Sequence, residues 1–284
     1  MTNVDRRVFA LRNLPEVVMG ALFSRYSRTE KSLRRVLLEE FLNEPDAGIP
    51  ATIEDDQIVD RERAEAFYQR VLVGYGDDSV AELASAHVAT EQVSQLAAKA
   101  LENPRIGLSP LEKSTRYVRF DRRGPDGRFP YHRGPELTHP AYEPALDRLF
   151  ETYAALVPPL LDRVRARYPI IPGETERAWK AATRARVFDL LRGLLPAATL
   201  TNLGLVGSGR AFEYLLTKLL ASELPECRAL AGELHRELDQ VIPAFVRRGI
   251  DDRYGAPAAA RLRARAQELA ALAPGRAHEP APAG

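Results

Sequence analysis

Between Gly74 and Tyr117 the chain is punctuated at both ends, which limits what can form between them. Gly74-Tyr-Gly76 interrupts any regular element, because glycine reaches backbone conformations that other residues avoid. Pro104 closes whatever precedes it, since it has no amide hydrogen and its ring clashes with the preceding helical turn. Inside these limits Ser79 and Glu82 have the S-x-x-E spacing of a capping box. Val80, Leu83, His87, Val88, Leu96, Ala100 and Leu101 then recur on one stripe, so a helix over about 79–102 is expected, with His87 in its core face. The loop beyond Pro104 carries Arg105, Ser109, Glu112, Lys113, Ser114 and Arg116. From Asn103 to Arg123 there are six basic residues and two acidic ones, in a chain whose net charge is only +1. Guanidinium groups beside hydroxyls suit a phosphate, which accepts paired hydrogen bonds from arginine. A solvated basic loop has the same composition. Thr115, Tyr117, Val118 and Phe120 predict a short strand over 114–121.

The rest of the chain reads as helices divided by turns. Ser27 and Glu30 form a second S-x-x-E pair ahead of Leu33, Leu37 and Phe41, which share a helical face. Arg25, Arg28, Lys31, Arg34 and Arg35 read as the solvated side of that segment. Residues 43–51 are turn-rich, and 54–72 predict a helix that starts on Glu54, Asp55 and Asp56. Residues 121–140 are dense in Gly, Pro and charge and predict a flexible loop. Further helices are expected over about 141–168, 174–195, 210–222, 226–248 and 257–272, with a linker at 200–209. The Pro/Ala-rich tail 273–284 is expected to be disordered. The expected fold is α+β, helix-dominated, with a small β-sheet, in a single domain over 1–272.

Composition narrows function by exclusion. Cys227 is the sole cysteine, so neither a disulfide framework nor a cysteine-based zinc site can form within one chain. No metal site is expected. Cys227 lacks a nucleophile motif and reads as a packing residue. No apolar signal core or membrane-length run is visible. The expectation is a cytoplasmic protein without membrane contact, and the near-zero net charge makes nucleic acid an unlikely partner.

Two blocks resemble the flavin-dependent thymidylate synthases, the ThyX family. Gly76-Asp-Asp-Ser-Val-Ala-Glu-Leu83 is similar to that family's G-H-x-S/T-x-x-E-H segment, with Asp77 and Leu83 in place of the histidines. Asn103-Pro-Arg105 retains one arginine of an R-H-R triplet, and Glu112-Lys-Ser-Thr-Arg-Tyr117 matches the signature that follows it. Asp189-Leu-Leu-Arg192-Gly-Leu-Leu-Pro196, Thr199 and Ser208-Gly-Arg210 match a second block in the same order. The resemblance covers roughly 74–120 and 186–248.

It implies methylation of deoxyuridylate (dUMP) to thymidylate. Methylenetetrahydrofolate would be the carbon donor, FAD the hydride carrier and NADPH its reductant, in a homotetramer with shared sites. Carried over by position, Ser79, Arg105, Ser208, Arg210 and Tyr214 would contact FAD. Glu112, Ser114, Arg116 and Arg192 would contact the nucleotide. Where the family has a ring-activating arginine this chain has Leu219, beside Lys218, so Arg192 and Lys218 are the candidates for catalysis. These departures keep two alternatives open. One is a ThyX-fold flavin/folate enzyme acting on another pyrimidine nucleotide. The other is an inactive paralogue that binds nucleotides or nucleic acid.

Overall fold

The computed structural model describes residues 1–42, apart from 8, 12, 13, 15, 27 and 28, and residues 78–272, apart from 105. The expected helix at 54–72, the serine of the Ser27–Glu30 pair, Arg105 and the tail at 273–284 lie outside them.

In chain order the described elements are α1 (Glu16–Tyr26) and α2 (Leu33–Val36), the latter followed by a π-helical turn at Leu37–Leu42. A 3-10 turn (Asp78–Leu83) leads to β1 (Ser85–Ser94), α3 (Gln95–Glu102) and β2 (Leu108–Glu112). Then come α4 (Tyr142–Arg167), α5 (Glu176–Leu191) and β3 (Leu200–Ser208). The chain continues through α6 (Gly209–Ala221), α7 (Pro225–Val241), α8 (Pro243–Val246) and α9 (Gly255–Leu272). The fold is α+β and helix-dominated, with one three-stranded sheet in the order β1-β3-β2. The residues group into two compact units, one from within Met1–Val88, Pro104–Leu108 and Val206–Gly284, the other Ala89–Asn103 and Ser109–Leu205.

In the first unit α6 is the helix the others pack on. It buries Ala211, Phe212, Leu215, Leu216 and Leu219, and it touches α7, α8, α9 and the turn at Asp78–Leu83. Pro225 occupies the first turn of α7, where its fixed φ suits a helix start. That helix buries Cys227, Leu230, Ala231, Leu234 and Leu238, a stripe at helical spacing. The single helix expected over 226–248 is divided, because Pro243 cannot donate the next hydrogen bond and opens α8 instead. Ser32 caps α2 by accepting from the Arg35 amide, and Leu33, Val36 and Leu37 pack with Leu22.

In the second unit α4 and α5 pack together on an aromatic core. Phe129 and Phe150 stack at 5.1 Å between ring centroids, and Tyr131 lies 5.9 Å from Phe150. Residues 121–140 hold little regular structure, yet Phe129 and Tyr131 within them are buried. The Tyr131 hydroxyl donates to Asp147 Oδ1 at 3.0 Å. Pro158 and Pro159 lie inside α4 on its exposed side without ending it.

Four further sequence expectations are corrected. Residues 79–102 are not one helix: a 3-10 turn, β1 and α3 divide them. Pairing with β3 outweighs local helix preference in β1, as strand formation depends on neighbours more than on intrinsic propensity. His87 is exposed rather than in a core stripe. Residues 200–209 are not a linker but the central strand, with Thr201, Leu203 and Leu205 buried on alternate positions. The short strand lies at Leu108–Glu112 instead of 114–121, where the amides of Tyr117 and Val118 fold back onto the Ser114 carbonyl.

Phe150→Ala should destabilise the protein by about 3–5 kcal/mol, measured by urea denaturation, because it opens a cavity beside the two aromatic rings stacked on it. A second expectation concerns pH. The Arg119 guanidinium donates to both Asp121 oxygens, at 2.9 and 2.5 Å. These hydrogen bonds, more than the accompanying charge attraction, hold the Asp121 carboxyl below its ordinary range. Stabilisation from a lowered carboxyl pKa is present above the unfolded value and lost as pH falls through the folded one. Asp121→Asn should therefore be less stable than wild type at neutral pH. The difference should shrink as pH falls below the ordinary carboxylate range in the same denaturation assay.

Candidate functional site

The residues singled out from sequence are distributed over both units. In the first unit, Ser208 ends β3 and caps α6. Its Oγ accepts from the Ala211 amide at 3.3 Å and donates to Glu82 Oε2 at 2.7 Å. The other Glu82 oxygen faces Arg210 Nη1 at 3.7 Å. Free amides give a helix N-terminus partial positive charge, so Glu82 is favourably placed there. The chain's own carboxylate thus occupies the position an external anion would seek. Glu82 is therefore a partner of the next structural block. Ser79 lies in the 3-10 turn at Asp78–Leu83.

Close packing accompanies the cap. The Ser208 amide donates to the Gly107 carbonyl at 3.1 Å and the Gly209 amide to the Ala84 carbonyl at 3.0 Å. A Cβ on Gly209 would stand 2.5 Å from Phe245 Cβ and 3.2 Å from the Ala81 carbonyl oxygen. Gly107 has φ +75°, the left-handed region where glycine carries no steric penalty.

Arg210 and Tyr214 project one turn apart from α6 and line an open cleft of about 620 Å³. Arg248, Tyr254, Arg261 and Arg265 line it as well. Glu213 is the acidic residue among the lining groups and pairs with Arg248 Nε at 3.0 Å. Lys218 Nζ sits 4.4 Å from the Tyr214 ring centre, a cation–π contact. The volume is that of an ordinary small-molecule site, and the positive lining with two phenol rings suits a phosphorylated aromatic ligand. Sequence reasoning singled out Arg210 and Tyr214 but missed the other four. The signal was the i, i+4 spacing of Arg261 and Arg265 in an otherwise alanine-rich segment, which places both on one helix face.

In the second unit, Glu112 Oε1 accepts from Gln95 Nε2 at 2.9 Å. Ser114 Oγ accepts weakly from the Arg116 amide at 3.4 Å. The Arg116 guanidinium is exposed, 5.6 Å from the Tyr117 ring centre. Arg192 follows α5 and is held by Asp189, with Nε 3.4 Å from Oδ1 and both side chains about half exposed. A surface pair of this kind contributes about 0–1 kcal/mol, so Arg192 can be recruited by another anion at little cost. Cys227 is buried, and burial pushes its thiol pKa up, which suits packing rather than nucleophilic attack.

Among the described residues no His/Cys/Asp/Glu group could hold a metal ion, and no helix is long and apolar enough to cross a membrane.

A family model described as thymidylate synthase complementing protein (Thy1) matches residues 29–244. A UPF0159 protein of Chlamydia pneumoniae is 49% identical over 252 residues, covering 87% of this chain and 47% of that protein. One from Thermoplasma acidophilum is 34% identical over 253 residues, covering 80% and 47%. The chain spans about half the length of the curated relatives it matches. Among solved structures, the UMP/dUMP methylase PolB from Streptomyces cacaoi bound with 5-Br dUMP aligns at TM-score 0.46 and 14% identity, over 82% of this chain and 89% of that one. Thymidylate synthase ThyX from Helicobacter pylori with FAD and dUMP aligns at 0.41 and 18%, over 81% and 94%.

Replacing Ser208 by Ala removes both the cap and the Glu82 contact. It should lower stability by about 1–2 kcal/mol in thermal or chemical denaturation. Ser208→Asn, which keeps a capping oxygen, should recover most of that loss.

Proposed function

The chain belongs to the thymidylate synthase complementing protein family, and from that premise we propose that it is a flavin- and folate-using enzyme acting on a pyrimidine nucleotide. Its reaction class is methylation of the pyrimidine ring, with carbon from methylenetetrahydrofolate. Conversion of deoxyuridylate to thymidylate is the first case to test. The observation that supports this most directly is the α6 face. Arg210 and Tyr214 line a positively charged cleft of nucleotide size within the family match, and Ser208 fixes the start of the helix that carries them.

When bound, FAD recharged by NADPH would supply the hydride, a step no side chain can provide. The chain's own residues bind and orient. Arg210 would pair with phosphate and Tyr214 would cover a ring face, as both line the cleft. Ser79 and Arg105 are proposed as further FAD contacts, Arg105 lying outside the described residues. Arg116 and Arg192 offer exposed guanidinium groups to a nucleotide, whose phosphate accepts paired hydrogen bonds from them. Glu112 and Ser114 add polar contacts beside Arg116. Arg192 and Lys218 are the cations proposed to favour the ionised ring. A homotetramer is proposed, with sites shared between copies.

The visible absorption spectrum of the purified chain, with FAD added where none co-purifies, tests this. A bound flavin spectrum should appear and should shift with at least one of dUMP, UMP or dCMP. Arg192→Ala should keep the flavin and lose the nucleotide-induced shift. A chain that binds no FAD, or whose bound flavin ignores every pyrimidine nucleotide, would rule the proposal out.

A further inference from the structure

The cleft on α6 has a second wall that the family match does not reach. The match ends at residue 244, whereas Arg248, Tyr254, Arg261 and Arg265 come after it. Arg261 and Arg265 lie one turn apart on α9, both exposed. Like charges at this spacing repel one another. Among the described residues neither forms an ion pair or hydrogen bond that offsets this repulsion, whereas Arg210 faces Glu82 and Arg248 faces Glu213. The neighbouring Arg263 has a structural role: its guanidinium donates to the Leu220 carbonyl in the last turn of α6. This contact anchors α9 on α6, while Arg261 and Arg265 line the cleft.

We propose that α9 completes a nucleoside diphosphate site in this cleft, with Arg261 and Arg265 binding the diphosphate. The ligand is the phosphorylated end of a nucleotide or dinucleotide. Two negatively charged groups in series match two guanidinium groups one helical turn apart, and each relieves the repulsion between them. Arg210 supplies a third cation from the opposite wall, and Tyr214 and Tyr254 offer aromatic surface to a base. Because Arg210 and Tyr214 are shared with the proposed flavin site, this inference rests on that proposal and extends it to residues 248–265.

The test is titration of the full chain with ADP by calorimetry at low ionic strength, where exposed charges are least screened. Wild type should bind ADP, and Arg261→Gln/Arg265→Gln should bind it about 100-fold more weakly, on the order of tenfold per charged hydrogen bond lost. Arg236→Ala, which removes an exposed charge from α7, should bind like wild type. Arg265→Gln alone, with its circular dichroism spectrum unchanged, should lose about tenfold and guards against misfolding of the double variant. Failure of wild type to bind ADP, or equal binding by the double variant, overturns the inference. FAD binding that is indifferent to both arginines would leave the flavin proposal standing and this one refuted. ADP binding through them without any flavin binding would do the reverse.

Discussion

The Ser208 hydroxyl sits between the Ala211 amide, from which it accepts, and the Glu82 carboxylate, to which it donates. This small network joins the end of the central strand, the start of α6 and a 3-10 turn more than a hundred residues earlier. Much of the first unit's local order depends on it. The strand delivers the chain at Gly207 and Gly209, which pack too closely against Gly107 and Leu108 and against Ala81 and Phe245 for a side chain at either position. The cap then sets the rotation of α6, which decides which residues are buried and which project. Phe212, Leu215, Leu216 and Leu219 enter the core, and Arg210 and Tyr214 remain at the cleft.

Charge is distributed with the same economy. Glu82 accepts from the Ser208 hydroxyl that caps α6 and faces Arg210, while Glu213 holds Arg248. The cleft between α6 and α9 nevertheless keeps an excess of guanidinium groups. Such an excess is costly to hold together without an anion, which is why a phosphorylated ligand is the proposed occupant. In the second unit the corresponding contrast is between the sealed aromatic core around Phe150 and the exposed, weakly held Arg116 and Arg192.

Much of the helical framework was legible in the sequence because periodicity and proline mark it directly. Helices α4, α5, α6 and α9 lie close to where the sequence reading puts them, whereas that reading runs one helix through the break at Pro243 that ends α7. The sheet was not legible. Ser85–Ser94 and Leu200–Ser208 become strands through pairing with each other, information that no local window carries. The family was recognisable by resemblance, which is also what drew attention to Ser208 and Arg210. The cleft's second wall was invisible on that route because it lies beyond the family match. An arginine pair at helical spacing reads as a solvated face until a neighbouring helix is seen across from it.

Hydrogen–deuterium exchange of the full chain with and without FAD tests most directly the claim that the α6 face and α9 together form the ligand site. The account predicts slower exchange on binding, concentrated in residues 206–217 and 248–265. Protection confined to other segments, or none in α9, would contradict it.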